Sequence, residues 1–96
     1  MPRKVRFEWD EQKADSNRAK HRVSFLLAKE VFEDEFKVHI YRGGEHGEQR
    51  WWTMGLVGSH LLIVVHTWEE NEDEEIIRII SARKATPSER RRYEEG

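Results

Sequence analysis

RWWTMGLVGSHLLIVVHTW, Arg50 to Trp68, is the stretch on which the fold turns. Two runs of β-branched and aromatic residues, Arg50–Val57 and His60–Trp68, flank the dipeptide Gly58-Ser59. A two-residue Gly-Ser link between such runs predicts a hairpin with a type II′ turn. Pairing Val57 with His60 then sets Trp51 opposite His66 and Arg50 opposite Thr67. Trp51 and Trp52 are neighbours on one strand, so they point to opposite faces.

Downstream of the hairpin, EENEDEE (69–75) holds six acids and no base and reads as a solvated tip. Glu75 to Ala82 follows as a strand. Ile76, Ile77, Ile79 and Ile80 suit burial, and Arg78 interrupts them, which requires a partner or a polar groove. Thr86-Pro87-Ser88-Glu89 is a capping box with Pro at the first helical position, so a helix carrying Arg90, Arg91, Arg92 and Tyr93 closes the chain.

Upstream of it, Phe36 to Tyr41 alternates apolar and polar residues and predicts a half-buried strand. Arg42 to Glu48 is a glycine-rich loop. Ser24 caps a helix whose stripe is Phe25, Ala28, Val31 and Phe32, ended by Glu33-Asp34-Glu35. Asp10 caps an earlier helix running to about His21. Lys13, Asn17 and Lys20 or His21 share one face of it, and Ala14 is its only clearly apolar interior residue. Val5 to Trp9 reads as a short edge strand. The order is β-α-α-β-β-β-β-α: an α+β domain over residues 1–96, with two N-terminal helices on one face of a small antiparallel meander and a C-terminal helix.

Composition narrows the functions. The chain has 96 residues, 38% of them charged, and no cysteine, which excludes disulfides and thiol chemistry. The longest apolar run, Leu61–Val65, is too short to span a membrane, and no signal-peptide core follows the N-terminus; a cytoplasmic protein is expected. The net charge is −2, but six of the 19 acids lie in the 69–75 run. The other 13 face 17 basic residues, a balance of +4 that allows local phosphate-binding clusters.

No metal is expected. His21, His39, His46, His60 and His66 form no close pair in sequence, and His60 and His66 stand about 20 Å apart along one strand. No cofactor is expected either, because Gly43-Gly44 lacks the Lys-Ser/Thr of a phosphate loop.

FEWDEQKADSNRAKHRVSF near the start, GEQRWWTMG in the middle and IRIISARKATPSERRRY near the end together resemble BrnT-type toxins, within the RelE-like ribonucleases of type II toxin–antitoxin modules. The likeness runs from Phe7 to Tyr93. Many relatives have a proline after the aspartate where this chain has Asp34-Glu35. The resemblance implies a RelE-like fold and RNA cleavage, on or off the ribosome, that stops translation. It also implies a BrnA-like antitoxin of ribbon-helix-helix type, through which alone operator DNA would be bound.

Metal-free RNA cleavage needs a base for the ribose 2′-OH, cations for the phosphorane and an acid for the 5′-oxygen. The candidates for these roles are Arg50, Arg78 and Arg83 as cations and His21, Glu48 and Tyr93 for proton transfer. Lys13, Lys20, Trp51, Ser81 and Lys84 are candidates for holding RNA. Each has a plain alternative: a paired strand Arg, a helix-capping His, a core Trp. Two other readings stay open, a non-catalytic module that only pairs with the antitoxin and direct DNA binding by the basic C-terminal helix.

Overall fold

The computed structural model describes residues 4–44 and 48–96. The expectations at Glu45, His46 and Gly47 of the glycine-rich loop lie outside the described residues. Among these residues five strands and three α-helices follow the expected order: β1 (Lys4–Glu8), α1 (Glu11–His21), α2 (Phe25–Ala28), β2 (Val38–Tyr41), β3 (Trp51–Val57), β4 (His60–Glu70), β5 (Glu74–Lys84) and α3 (Pro87–Glu95). The sheet order is β1-β5-β4-β3-β2.

The sheet is mixed, which corrects the purely antiparallel expectation. β2 to β5 form an antiparallel meander, but β1 adds to its edge parallel to β5, from Lys4 beside Glu74 to Glu8 beside Arg78. The β3–β4 register is as read, Val57 with His60 and Trp51 with His66. Gly58 takes φ 61° and Ser59 does not share the positive φ, as a type II′ turn requires. Arg50 sits just before β3, one step past the last register pair; its amide donates to the Gly43 carbonyl (2.8 Å) and its carbonyl accepts from the Arg42 amide (2.9 Å).

Three other boundaries differ for local reasons. The second helix is one α turn followed by a 3-10 segment, Lys29–Glu33. Phe25, Ala28 and Val31 still point inward and are fully buried. Gly55 of β3 permits the close approach of that segment, since a Cβ there would lie 2.8 Å from the Val31 carbonyl oxygen. β2 starts at Val38 because Asp34 Oδ1 takes the Phe36 amide (2.9 Å) and holds that residue in a turn, with its ring 74% exposed. The acidic tip is smaller than expected. β4 and β5 extend into it, and Asn71 closes the turn by accepting the amides of Asp73 and Glu74 (2.9 Å each). Glu74 then pairs with Arg6 and Glu75 accepts the Trp68 indole, so these acids are structural.

The core lies between the helices and one sheet face. Leu62, Val64, Ile77, Ile79 and Ala82 pack on Val23, Phe25, Ala28 and Val31. The weakly apolar α1 is held by a polar residue. Asn17, 6% exposed, bonds both backbone groups of Ala82 and the Val23 carbonyl. Among the described residues no helix is long and apolar enough to cross a membrane.

Candidate nucleic-acid interface

Arg78 and Arg83 are five residues apart, and an unbroken strand would aim them at opposite faces. β5 is not unbroken. Ser81 pairs with Val65 and Ile79 pairs with His66, so Ile80 is a one-residue bulge with no partner on β4. The extra residue resets the alternation. Arg78 pairs with Thr67, Ser81 with Val65 and Arg83 with Ile63. These three β4 residues are two apart, so all three β5 side chains stand on one face, the face away from α1 and α2. About 13 Å of strand separates the Arg78 and Arg83 rows. Alternation through β3 adds Trp52 to this face and carries Arg50 toward it; alternation through β2 adds Arg42.

The arginines on this face differ in availability. Arg78 lies 3.8 Å from Glu8 and Arg50 lies 3.7 Å from Glu48, loose contacts between side chains 41–51% exposed. Such surface pairs hold their partners weakly, by about 0–1 kcal/mol. Arg83 is gripped. Its Nη1 and Nη2 donate to Glu89 Oε1 and Oε2 at 2.7 and 2.9 Å. The same Glu89 Oε1 accepts the Thr86 amide (2.8 Å), completing the capping box read from the sequence. The Arg83 bond, opposed by burial and helped by the cap, holds the Glu89 carboxyl down at about 2.

Tyr93 is tied at the other end of α3. Its hydroxyl donates to Asp34 Oδ2 (2.6 Å), the oxygen that also accepts the Leu56 amide (2.7 Å). That bond, with burial and the carboxylate charge, pushes the phenol up to about 12. Tyr93 is therefore no base at neutral pH. Burial opposes ionisation of Asp34, but hydrogen bonds from Leu56, Tyr93 and Phe36 and the Lys37 charge outweigh it and lower its pKa. Tyr93→Phe is expected to cost about 1.5–3 kcal/mol, since the lost bond is to a charged acceptor. A thermal melt unchanged within error would show that the tether carries nothing.

The remaining candidates stand elsewhere. Lys13, Lys20 and the half-buried His21 lie on α1, packed against the other side of β5, and Lys84 pairs with Leu62 on that side. Trp51 also faces the helices, in ring contact with Tyr41 (5.2 Å) and Trp68 (5.4 Å). The tryptophan on the arginine face is its neighbour Trp52, with the Arg42 and Arg83 guanidinium carbons 4.5 and 5.4 Å from its ring centre. Alternation puts Trp51 and Trp52 on opposite faces and leaves open which is the outward one that could stack on a base or meet a partner; it is Trp52 and not the candidate Trp51, and Arg42 carries no signal of its own in the sequence.

A histidine pair also escaped the spacing test. Thr53 Oγ1 bridges His39 Nδ1 (2.8 Å) and His66 Nε2 (2.7 Å) across three strands. Burial drives His66 down to about 4 despite its bond to the Thr67 carbonyl, and burial with the Lys37 charge lowers His39. Both rings are neutral near pH 7. Among the described residues no three His, Asp or Glu side chains converge as metal ligands would.

A sequence profile for a ribonuclease toxin, BrnT, of type II toxin–antitoxin systems matches residues 9–89. No curated protein matches the chain.

Proposed function

The chain belongs to the BrnT family of type II toxin–antitoxin ribonuclease toxins, which implies an antitoxin partner; from that premise we propose that it cuts RNA without a metal and so inhibits translation, with the arginine face as its RNA-binding surface. The reading rests on the Ile80 bulge, which gives Arg78, Ser81 and Arg83 a common face beside Arg50. Arg50 and Arg78 hold the scissile phosphate and offset the phosphorane charge. Their planar forks stay charged and bind two oxygens at once. Glu48, 3.7 Å from Arg50, is the carboxylate candidate for taking the 2′-OH proton. The 2′-oxygen bonds to phosphorus, the bond to the 5′-oxygen breaks, and water supplies the proton to that oxygen.

The fold on this reading is RelE-like, supported by helices preceding a four-strand antiparallel meander. The antitoxin is BrnA-like, of ribbon-helix-helix type. It neutralises the toxin in the cytoplasm and is the route to operator DNA.

Expression should arrest growth, and the antitoxin should relieve the arrest. Arg50→Ala and Arg78→Ala should each slow cleavage of free or ribosome-bound RNA in EDTA by about tenfold or more, equivalent to about 1.4 kcal/mol, with unchanged circular dichroism. Full activity of both variants would sink the phosphate assignment. No cleavage by the parent chain on either substrate would sink the ribonuclease reading. It would leave the second one, a non-catalytic module that pairs with the antitoxin. The capture of Arg83 by Glu89 and of Tyr93 by Asp34 favours that second reading, because it withdraws two candidates from chemistry.

A further inference from the structure

Trp52 carries two guanidinium groups, and their edges are in different states. Stacking on an indole orients a guanidinium plane without using its N–H donors. Arg42 is exposed, and its side chain makes no hydrogen bond or ion pair among the described residues. Arg83 has two donor arms filled by one carboxylate, at 2.7 and 2.9 Å. That two-point grip is the one a guanidinium also offers to a phosphodiester. The carboxylate comes from α3, a helix with no buried residue. Among the described residues the face thus has one open arm, one arm occupied by a side chain of its own, and an aromatic ring that both guanidiniums stack on.

We propose that Arg42, Trp52 and Arg83 form a clamp for a backbone phosphate of the RNA strand beside the cleavage point, and that Glu89 occupies the Arg83 arm until a phosphate displaces it. The clamp rests on the ribonuclease reading and adds Arg42 and Trp52 to the binding surface. Arg42 meets the strand first because no described side chain has to leave it. Engagement of Arg83 requires Glu89 to turn away while α3 keeps its cap. A glutamine at position 89 separates these two jobs. It still reaches back to the Thr86 amide, as Gln does in capping boxes, but it surrenders the charge that competes with phosphate.

The probe is a fluorescein-labelled 2′-O-methyl oligouridylate, which binds as RNA does but lacks the attacking hydroxyl. Anisotropy titrations across a salt series read affinity and its salt slope. Arg42→Gln should weaken binding about threefold to tenfold and reduce the slope by nearly one, as for one lost phosphate contact. Glu89→Gln should bind about threefold to tenfold more tightly with an unchanged helix signal, since a competing charge is gone. Arg18→Gln, on α1 at the other side of the sheet, should change both readings less than Arg42→Gln. An Arg42→Gln chain that matches the parent in affinity and slope overturns the clamp. A Glu89→Gln chain that binds no more tightly overturns the occupancy of Arg83. If the parent chain cuts RNA while these variants behave as the parent does, only the clamp falls. If the parent neither binds nor cuts RNA, the ribonuclease reading falls with it.

Discussion

Asn17→Ala is expected to destabilise the fold by about 3 kcal/mol, a large share of the 5–15 kcal/mol typical of a domain. The size follows from what Asn17 replaces. β1 ends at Glu8 beside Arg78, so past Arg78 the outer edge of β5 has no neighbouring strand among the described residues. At Ala82, which is fully buried, the Asn17 amide takes that place. Its Nδ2 donates to the Ala82 carbonyl (2.8 Å) and its Oδ1 accepts the Ala82 amide (3.1 Å). The second Nδ2 hydrogen goes to the Val23 carbonyl (3.0 Å), which pins the turn into α2.

Alanine removes all three bonds and leaves a buried N–H and two carbonyls unpaired, at about 1–3 kcal/mol each before relaxation. Asn17→Asp should do no better, because a carboxylate would face two carbonyl oxygens. Urea unfolding of the parent and the Ala variant checks this. A difference below about 0.5 kcal/mol would mean that water or backbone shifts satisfy Ala82 equally well. The function should suffer with the stability, since β5 carries Arg78 and Arg83.

What could be read in the sequence divides along the range of the interactions. The Gly58-Ser59 hairpin, the caps at Asp10, Ser24 and Thr86 and the order of elements follow from neighbours within a few residues, and all are present. The parallel docking of β1 on β5 follows no local rule, because about 65 residues intervene. Helical spacing groups Asn17 with Lys13 on a polar face, because it says which residues share a face and not what that face meets. The bulge at Ile80 is equally silent in an isoleucine run, yet it decides whether Arg78 and Arg83 cooperate. The Trp pair shows the limit from the other side. Alternation correctly separates Trp51 from Trp52, but assigning a face to each needs the helices. Trp51 meets Tyr41 and Trp68, and Trp52 meets the arginines.

The second large effect is a loss of stability in mild acid through His66. The ring is fully buried, with Nδ1 3.0 Å from the Thr67 carbonyl. A carbonyl only accepts, so Nδ1 carries the proton and Nε2 is the acceptor for the Thr53 hydroxyl. The Thr53 oxygen in turn accepts from His39 Nδ1–H. A second proton on His66 would force the Thr53 hydroxyl to turn round against the His39 donor, inside a cage of Phe32 and Trp68. Burial and this chain agree with a pKa of about 4, below the ordinary 6.5. The unfolded chain therefore takes up a proton that the folded one refuses. The stabilisation is complete above pH 6.5 and is lost as the pH falls toward 4, at most on the order of 3 kcal/mol. His39, whose pKa is also lowered by burial and by Lys37 against the opposing pull of Glu75, acts in the same sense. Glu89 adds its loss only lower, as the pH falls from 4.5 toward 2. Urea midpoints at pH 7.5 and pH 5 should drop steeply in the parent and less steeply in His66→Gln, which keeps a polar partner for Thr53 but does not titrate. An equal drop in both chains would place the acid sensitivity elsewhere.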